Sequence, residues 1–369
     1  MKRLHNILTG VLLMCGLLLP ATVQADSIPA AQEKNTVNVK EIVFGHIGDS
    51  YEWHITAFGE TQVIIPLPVI VYSRTTGWHV FLSSRLEENG GSYEGFSIAP
   101  EGSKYEGKLV EHDVAGNEIR PWDISITKVV LALLINSLLL LVIVLSVARW
   151  YRKHPQGSAA PGGFIGFMEM FIMMVNDDII KSCVGPKYRK FAPYLLTAFF
   201  FIFINNLMGL IPIFPGGANV TGNIAVTMVL AVCTFFAVNI FGTKTYWKDI
   251  FWPDVPWWLK VPVPMMPFIE LFGIFTKPFA LMIRLFANML AGHMAMLVLT
   301  CLIFISASMG PVLNGTLTVA SVLFNVFMNG LELLVAFIQA YVFTMLSAVF
   351  IGLAQEEHTK KAEGKKAVG

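Results

Sequence analysis

Two apolar stretches near the C-terminus, residues 263–309 and 312–354, constrain this chain more than any other feature. As straight helices at 1.5 Å per residue they would run ~70 and ~65 Å, against a hydrocarbon core of ~30 Å. No polar loop interrupts either stretch. A tilt of about 20°, which relieves ordinary mismatch, does not absorb such an excess. The expected form is two long, strongly tilted helices folded as a hairpin about "MGPVLNG", where Gly310, Pro311 and Gly315 mark a turn.

The rest of the C-terminal part follows the same solvent. Of 369 residues 55% are hydrophobic and 14% charged, well below the ~25% charged of soluble domains. Residues 129–148, "VVLALLINSLLLLVIVLSVA", supply one span, stopped by the basic "RWYRKH". Residues 191–214 and 223–242 supply two more, joined by the uncharged turn "PGGAN". "GFIGFMEMFIMMVNDDIIKS" (163–182) is apolar for only about a dozen residues, too few to span, and is expected along the interface. "WPDVPWW" (252–258) is an interfacial aromatic anchor.

The first 25 residues have the form of a secretory signal, with Lys2 and Arg3 before an apolar core and a cleavage site after Ala25. Residues 26–124 are different again. Short β-rich runs such as "TVNVKEIVF" and "TQVIIPLPVIVYS" alternate with turn-like "ENGGS" and "PEGSKYEG". His46, Asp49, Glu52 and His54 cluster there, but their spacing matches no strong metal site. Cys15, Cys183, Cys233 and Cys301 are scattered without pairing or metal spacing. A net charge of +1 gives no hint of nucleic acid.

Lysines and arginines set the orientation. Loops 213–222 and 310–316 contain none, whereas Arg149, Arg152, Lys153, Lys181, Lys187, Arg189, Lys190, Lys244, Lys248, Lys260 and the tail "KKAEGKK" lie on the other side. By the positive-inside rule that side is cytoplasmic, which leaves the N-terminal domain outside. The fold class is then an all-α polytopic membrane protein of about five crossing helices and one interfacial helix. A small, mostly β extracytoplasmic domain precedes them. Its divisions are a signal (1–25), the β domain (26–124) and a transmembrane domain (125–369).

Inside the hairpin stand Glu270, Arg284, His293 and Glu332, with the amides Asn288 and Gln339. Arginine stays charged in proteins, and at mid-bilayer it costs roughly 2.5–3.5 kcal/mol on insertion scales, so it marks a functional position by default. Folding the two stretches antiparallel makes residues with a common midpoint into neighbours. Arg284 with Gln339 and His293 with Glu332 both centre on the turn, so one register serves both pairs. A His–Glu pair can pass a proton between water and the interior. Glu270 lies fourteen residues before Arg284, ~21 Å along the axis. The plainer alternatives are interhelical hydrogen-bond glue for Asn288, Gln339 and Thr276 and a snorkelling role for Lys277.

At these residues the chain resembles the a subunit of rotary F-type ATP synthases. "RLFANMLAGH" is similar to that family's arginine motif, and "ELLVAFIQAYVFTMLSAVFIGLAQEEH" to its last helix. "NNLMGLIP" (205–212) and "TGNIAVTMVLA" (221–231) are similar to its middle spans. The match covers roughly residues 125–358. The resemblance implies that Arg284 is the essential arginine, facing the carboxylates of a ring of c subunits. It makes Asn288 and Gln339 companion amides and Glu270 an acid of the cytoplasmic half-channel. His293 and Glu332 are exchanged relative to many bacterial members, as in mitochondrial relatives. The implied protein is a non-catalytic stator subunit without cofactor or metal. It would sit in a bacterial inner membrane and connect through a b-type peripheral stalk to the soluble head. The runner-up, a proton-coupled secondary transporter, would call for inverted repeats and broken helices, and no internal repeat is present.

Overall fold

The computed structural model describes residues 45, 47–58, 61–100, 102–112, 118–154, 161–211, 214–251, 265–307 and 310–355. The signal segment, "TVNVKEIVF", His46, the "WPDVPWW" anchor, Lys260 and the basic tail lie outside them.

The N-terminal part is β-rich, built from three small antiparallel sheets. β1 (Glu52–Phe58) pairs with β2 (Thr61–Pro66). β3 (Pro68–Ser73) lies between β4 (Gly77–Leu82) and β9 (Trp122–Asp123). A short helix, α1 (Ser84–Glu88), leads to the third sheet. That sheet runs in chain order through β5 (Ser92–Tyr93), β6 (Phe96–Ile98), β7 (Leu109–His112) and β8 (Glu118–Ile119). Period-two alternation puts Val69 and Val71 of β3 inward, where they meet Tyr51, Phe81, Leu86, Phe96 and Leu109 in one core. Tyr51 also donates to Asp123 Oδ2 at 2.5 Å. Burial, and then that bond, pushes its phenol above the usual tyrosine range.

Helix α2 (Lys128–Lys153) leaves this domain directly. Its entry is fixed by Lys128 N–H donating to Ser50 O at 2.9 Å and Val129 N–H donating to Asp49 Oδ1 at 3.1 Å, two of the N-terminal donors a helix cannot satisfy itself. Next come α3 (Gly163–Met173), a π-helical segment (Met174–Lys181), and α4 (Tyr188–Leu210). The stretch expected to lie along the interface sends Val175, Ile179 and Ile180 into the main helical core, leaving Phe164, Phe167 and Met170 exposed. α5 (Ile224–Ile240) begins with Asn223 Oδ1 accepting from Ala225 N–H. It bends by 99° into α6 (Lys244–Phe251).

The two long stretches are two continuous helices, α7 (Met265–Ser306) and α8 (Pro311–Gln355), of 42 and 45 residues. Gly310, at φ +94°, makes the turn that a side chain would resist. Pro311 opens α8 at the one position where its missing N–H costs nothing. Ser306 Oγ donates to Asn314 Oδ1 across the turn, Asn325 Nδ2 to Thr300 Oγ1 farther along, and Lys277 Nζ lies 5.6 Å from the Phe350 ring near the open end. These contacts fix one antiparallel register along the hairpin. The inward stripe of α8 is rich in small residues, Ala336, Ala340, Ser347, Ala348 and Gly352, which lets backbones approach closely. A methyl group at Gly352 would collide with Cys183 O.

Among the described residues four helices are long and apolar enough to cross a membrane, and five if α5 and α6 form one span. Large apolar side chains such as Leu138, Phe272, Val319 and Leu323 stand exposed on them, as lipid or a protein partner requires. The chain is a multi-pass membrane protein.

Candidate functional site

The site lies on the α7–α8 hairpin, and the part nearer the turn is closed by α4. His293 and Glu332, 8% and 5% exposed, face each other with Nδ1 and Oε1 3.5 Å apart. His293 Nε2 donates to Gly209 O of α4 at 3.2 Å. That bond fixes the tautomer, because a carbonyl can only accept. In the neutral ring Nδ1 is therefore an acceptor aimed at a carboxylate. Neither Glu332 oxygen nor His293 Nδ1 has a hydrogen-bond partner among the described residues. A proton on either the imidazole or the carboxyl would join these two acceptors across the 3.5 Å gap.

Space for the carboxyl comes from Gly292. A methyl group there would collide with Glu332 Oε1. Amides surround the pair. Asn206 Nδ2 donates to Ala336 O, four residues after Glu332, at 3.3 Å, and its Oδ1 accepts from Thr221 Oγ1 at 2.6 Å. Asn219 Nδ2 donates to Met289 O, four residues before His293, at 3.4 Å. Asn205 Oδ1 accepts from Asn136 Nδ2 of α2 at 3.0 Å. The loop read as a simple turn between two spans is thus folded inward, with Ala218, Asn219, Val220 and Thr221 all buried.

Arg284 is placed otherwise. The hairpin register puts it level with Gln339, but Gln339 turns into the core and Arg284 turns out, with no hydrogen bond between them. Arg284 is exposed on the chain's surface and makes no ion pair or hydrogen bond among the described residues. Asn288 shares its face, as do Ala280, Ala287 and Ala291, all exposed.

At the other end a small cleft opens between α5, α6, α7 and α8, lined by Thr234, Asn239, Tyr246, Ile274, Lys277 and Phe350 among others. Glu270 stands one turn before Ile274 on α7. Tyr246 donates to Asn239 Oδ1 at 3.2 Å. Glu270 and the His293–Glu332 pair do not meet. Sequence reasoning missed Gly209, Gly292, Asn206, Asn219 and the cleft residues. The doublet of amides in an otherwise apolar "FIFINNLMGL" was the available signal for the first group.

A multi-pass helical protein with an ionisable pair sealed inside it and a bare guanidinium on its apolar flank belongs to the class of ion-translocating membrane subunits. Residues 131–352 match the family described as ATP synthase A chain, and residues 42–124 match a Domain of unknown function (DUF8433). The chain is 42% identical over 252 residues to the ATP synthase subunit a of Chlorobium phaeobacteroides, covering 66% of this chain and 69% of the relative. It is 45% identical over 248 residues to ATP synthase subunit a 2 of Chlorobium luteolum, covering 65% and 68%. For the ATP synthase subunit a of Myxococcus xanthus the identity is 38% over 238 residues, covering 63% and 73%. The chain belongs to the ATP synthase A chain family.

Proposed function

We infer that this chain is the stator proton-channel subunit of an F-type ATP synthase and that its own residues divide into two offset proton paths. The observation that carries the division is the contrast between the enclosed His293–Glu332 pair and the separate cleft beside Glu270. A proton from outside reaches the His293–Glu332 pair and passes to a carboxylate on a ring of c subunits. After the ring turns, the proton leaves along Glu270 and the cleft. Arg284 stands between the two paths. Its fixed charge keeps the passing ring carboxylate ionised, and it cannot relay a proton itself. The small residues Ala280, Ala287 and Ala291 beside it let a ring helix come close. Gln339 and Asn288 are its companion amides. No ATP is made in this subunit. The proton gradient does work on it at about 2.3 kcal/mol per charge per 100 mV.

The lysine and arginine distribution supports a bacterial inner-membrane orientation with the β domain (26–124) outside, behind a signal (1–25), and the C-terminus in the cytoplasm. The b-type peripheral stalk and soluble head belong to the same reading. Affinity purification of the tagged chain from its membranes tests it. A c ring and head subunits should co-purify, and a chain that purifies alone and transports solute would favour the transporter. Cysteines replacing the exposed Asn89 and Lys153 should label from opposite faces of intact cells, and labelling from one face rejects the topology.

A further inference from the structure

The N-terminal β domain does not stand clear of the membrane helices. Trp53, 4% exposed, forms one buried cluster with Ala132 of α2 and with Ala218 and Val220 of the loop before α5. Its ring meets Phe214 edge-on at 5.1 Å. The loop alternates like a strand. Ala218 and Val220 go to Trp53, while Asn219 and Thr221 go to Met289 O and Asn206. The first set holds the loop to the β domain. The second holds it to the helices that carry His293 and Glu332. A methyl group at Gly209 would lie 3.6 Å from Ala218 O and 3.7 Å from the His293 ring, so the loop backbone, α4 and the imidazole are in direct succession. A second connection runs from Asp49 through the start of α2 to Asn136 and Asn205.

We propose that Trp53 is a positioning residue for the outer proton path, and that the β domain holds the inward loop in register with the His293–Glu332 pair. The inference rests on the proton-channel reading above. Its physical basis is that a loop buried at membrane depth keeps its amides aimed only if its apolar side is also held. Replacing Trp53 by a small residue opens a cavity on that side and lets Asn219 and Thr221 drift from their acceptors. The ionisable groups of the pair are His293 and Glu332 alone. α4 and the loop present Gly209 O, Asn206, Asn219 and Thr221, and Asp49 and Lys128 stand at the head of α2 on the domain side.

The test uses the complete ATP synthase in lipid vesicles, carrying wild-type chain, Trp53→Ala, Trp53→Phe, Phe214→Leu or, as control, Arg284→Ala. ATP synthesis under an imposed proton gradient is measured against pH on the side of the β domain. Trp53→Ala is expected to slow synthesis on the order of tenfold, part of the hundredfold that an ångström of misplacement can cost. It should also displace the pH of half-maximal rate, with Trp53→Phe restoring most of both and Phe214→Leu showing a smaller change in the same direction. A wild-type rate and profile in Trp53→Ala, with Arg284→Ala inactive, overturns the inference alone. A slower rate with an unmoved profile is what a merely loosened fold gives, and overturns it as well. Activity in Arg284→Ala overturns the channel reading instead. If Trp53→Ala does not assemble, Phe214→Leu decides, since it leaves the β core intact. A displaced profile there supports the proposal and wild-type behaviour rejects it.

Discussion

The two ends of the long hairpin are built differently. At the end near the turn, His293 and Glu332 are sealed by α4, an inward loop and the amides of Asn206 and Asn219. At the other end Glu270 lies one turn from Ile274 of a cleft lined also by Tyr246, Asn239 and Lys277. Between them Arg284 is exposed on the chain's surface. The difference teaches that the chain encloses its buried ionisable pair with its own residues, whereas the central charge is left exposed. A guanidinium without a counter-charge is costly in lipid, so this surface makes sense when something acidic comes to it.

The sharpest break of that comparison is at Arg284. Arg284→Ala should lower ATP-driven proton pumping by roughly a hundredfold or more, the scale of losing a fixed electrostatic group, while subunit levels on a blot stay normal. Arg284→Lys should fail nearly as badly. A buried lysine can lose its proton, and it lacks the planar fork that holds a carboxylate at two points. Near-normal pumping in either variant would make Arg284 a structural residue.

Glu332→Gln comes next. It removes the carboxylate that faces His293 Nδ1 at 3.5 Å and should slow pumping by roughly ten- to a hundredfold, within the span of acid–base contributions. Cysteines at 293 and 332 should crosslink in the membrane. An unchanged rate, or a cysteine pair that never crosslinks, would remove the pair from the path.

Gly292→Ala is the mildest change in chemistry and the most specific in geometry. Its methyl group occupies the place of Glu332 Oε1, at an overpacking cost of about 1–3 kcal/mol. Pumping should fall several-fold, less than in Glu332→Gln, with the complex assembled. A variant indistinguishable from wild type in a vesicle pumping assay would mean that the carboxyl does not sit against this helix.

Much of this was legible in the chain. The length of the two apolar stretches demanded long helices, Gly310 and Pro311 marked where they turn, and a common midpoint put His293 opposite Glu332. These are one-dimensional facts, because a helix converts residue number directly into height and angle. The loop at 214–223 was not legible in the same way. Nothing in "PGGANVTGN" distinguishes a turn in water from a strand wedged between a β domain and a helical hairpin, since its alternation acquires meaning only when both partners are in place.

Sequence by itself therefore determined the class of solvent, the helical hairpin, its register and the identity of the groups it carries into the membrane. Only the tertiary structure decided which way each one faces. Arg284 and Gln339 share a level but turn apart, and Gly292 and Gly209 are glycines because of what lies opposite them on other helices. Packing at contact distance depends on elements far apart in the chain, and no local pattern encodes that distance.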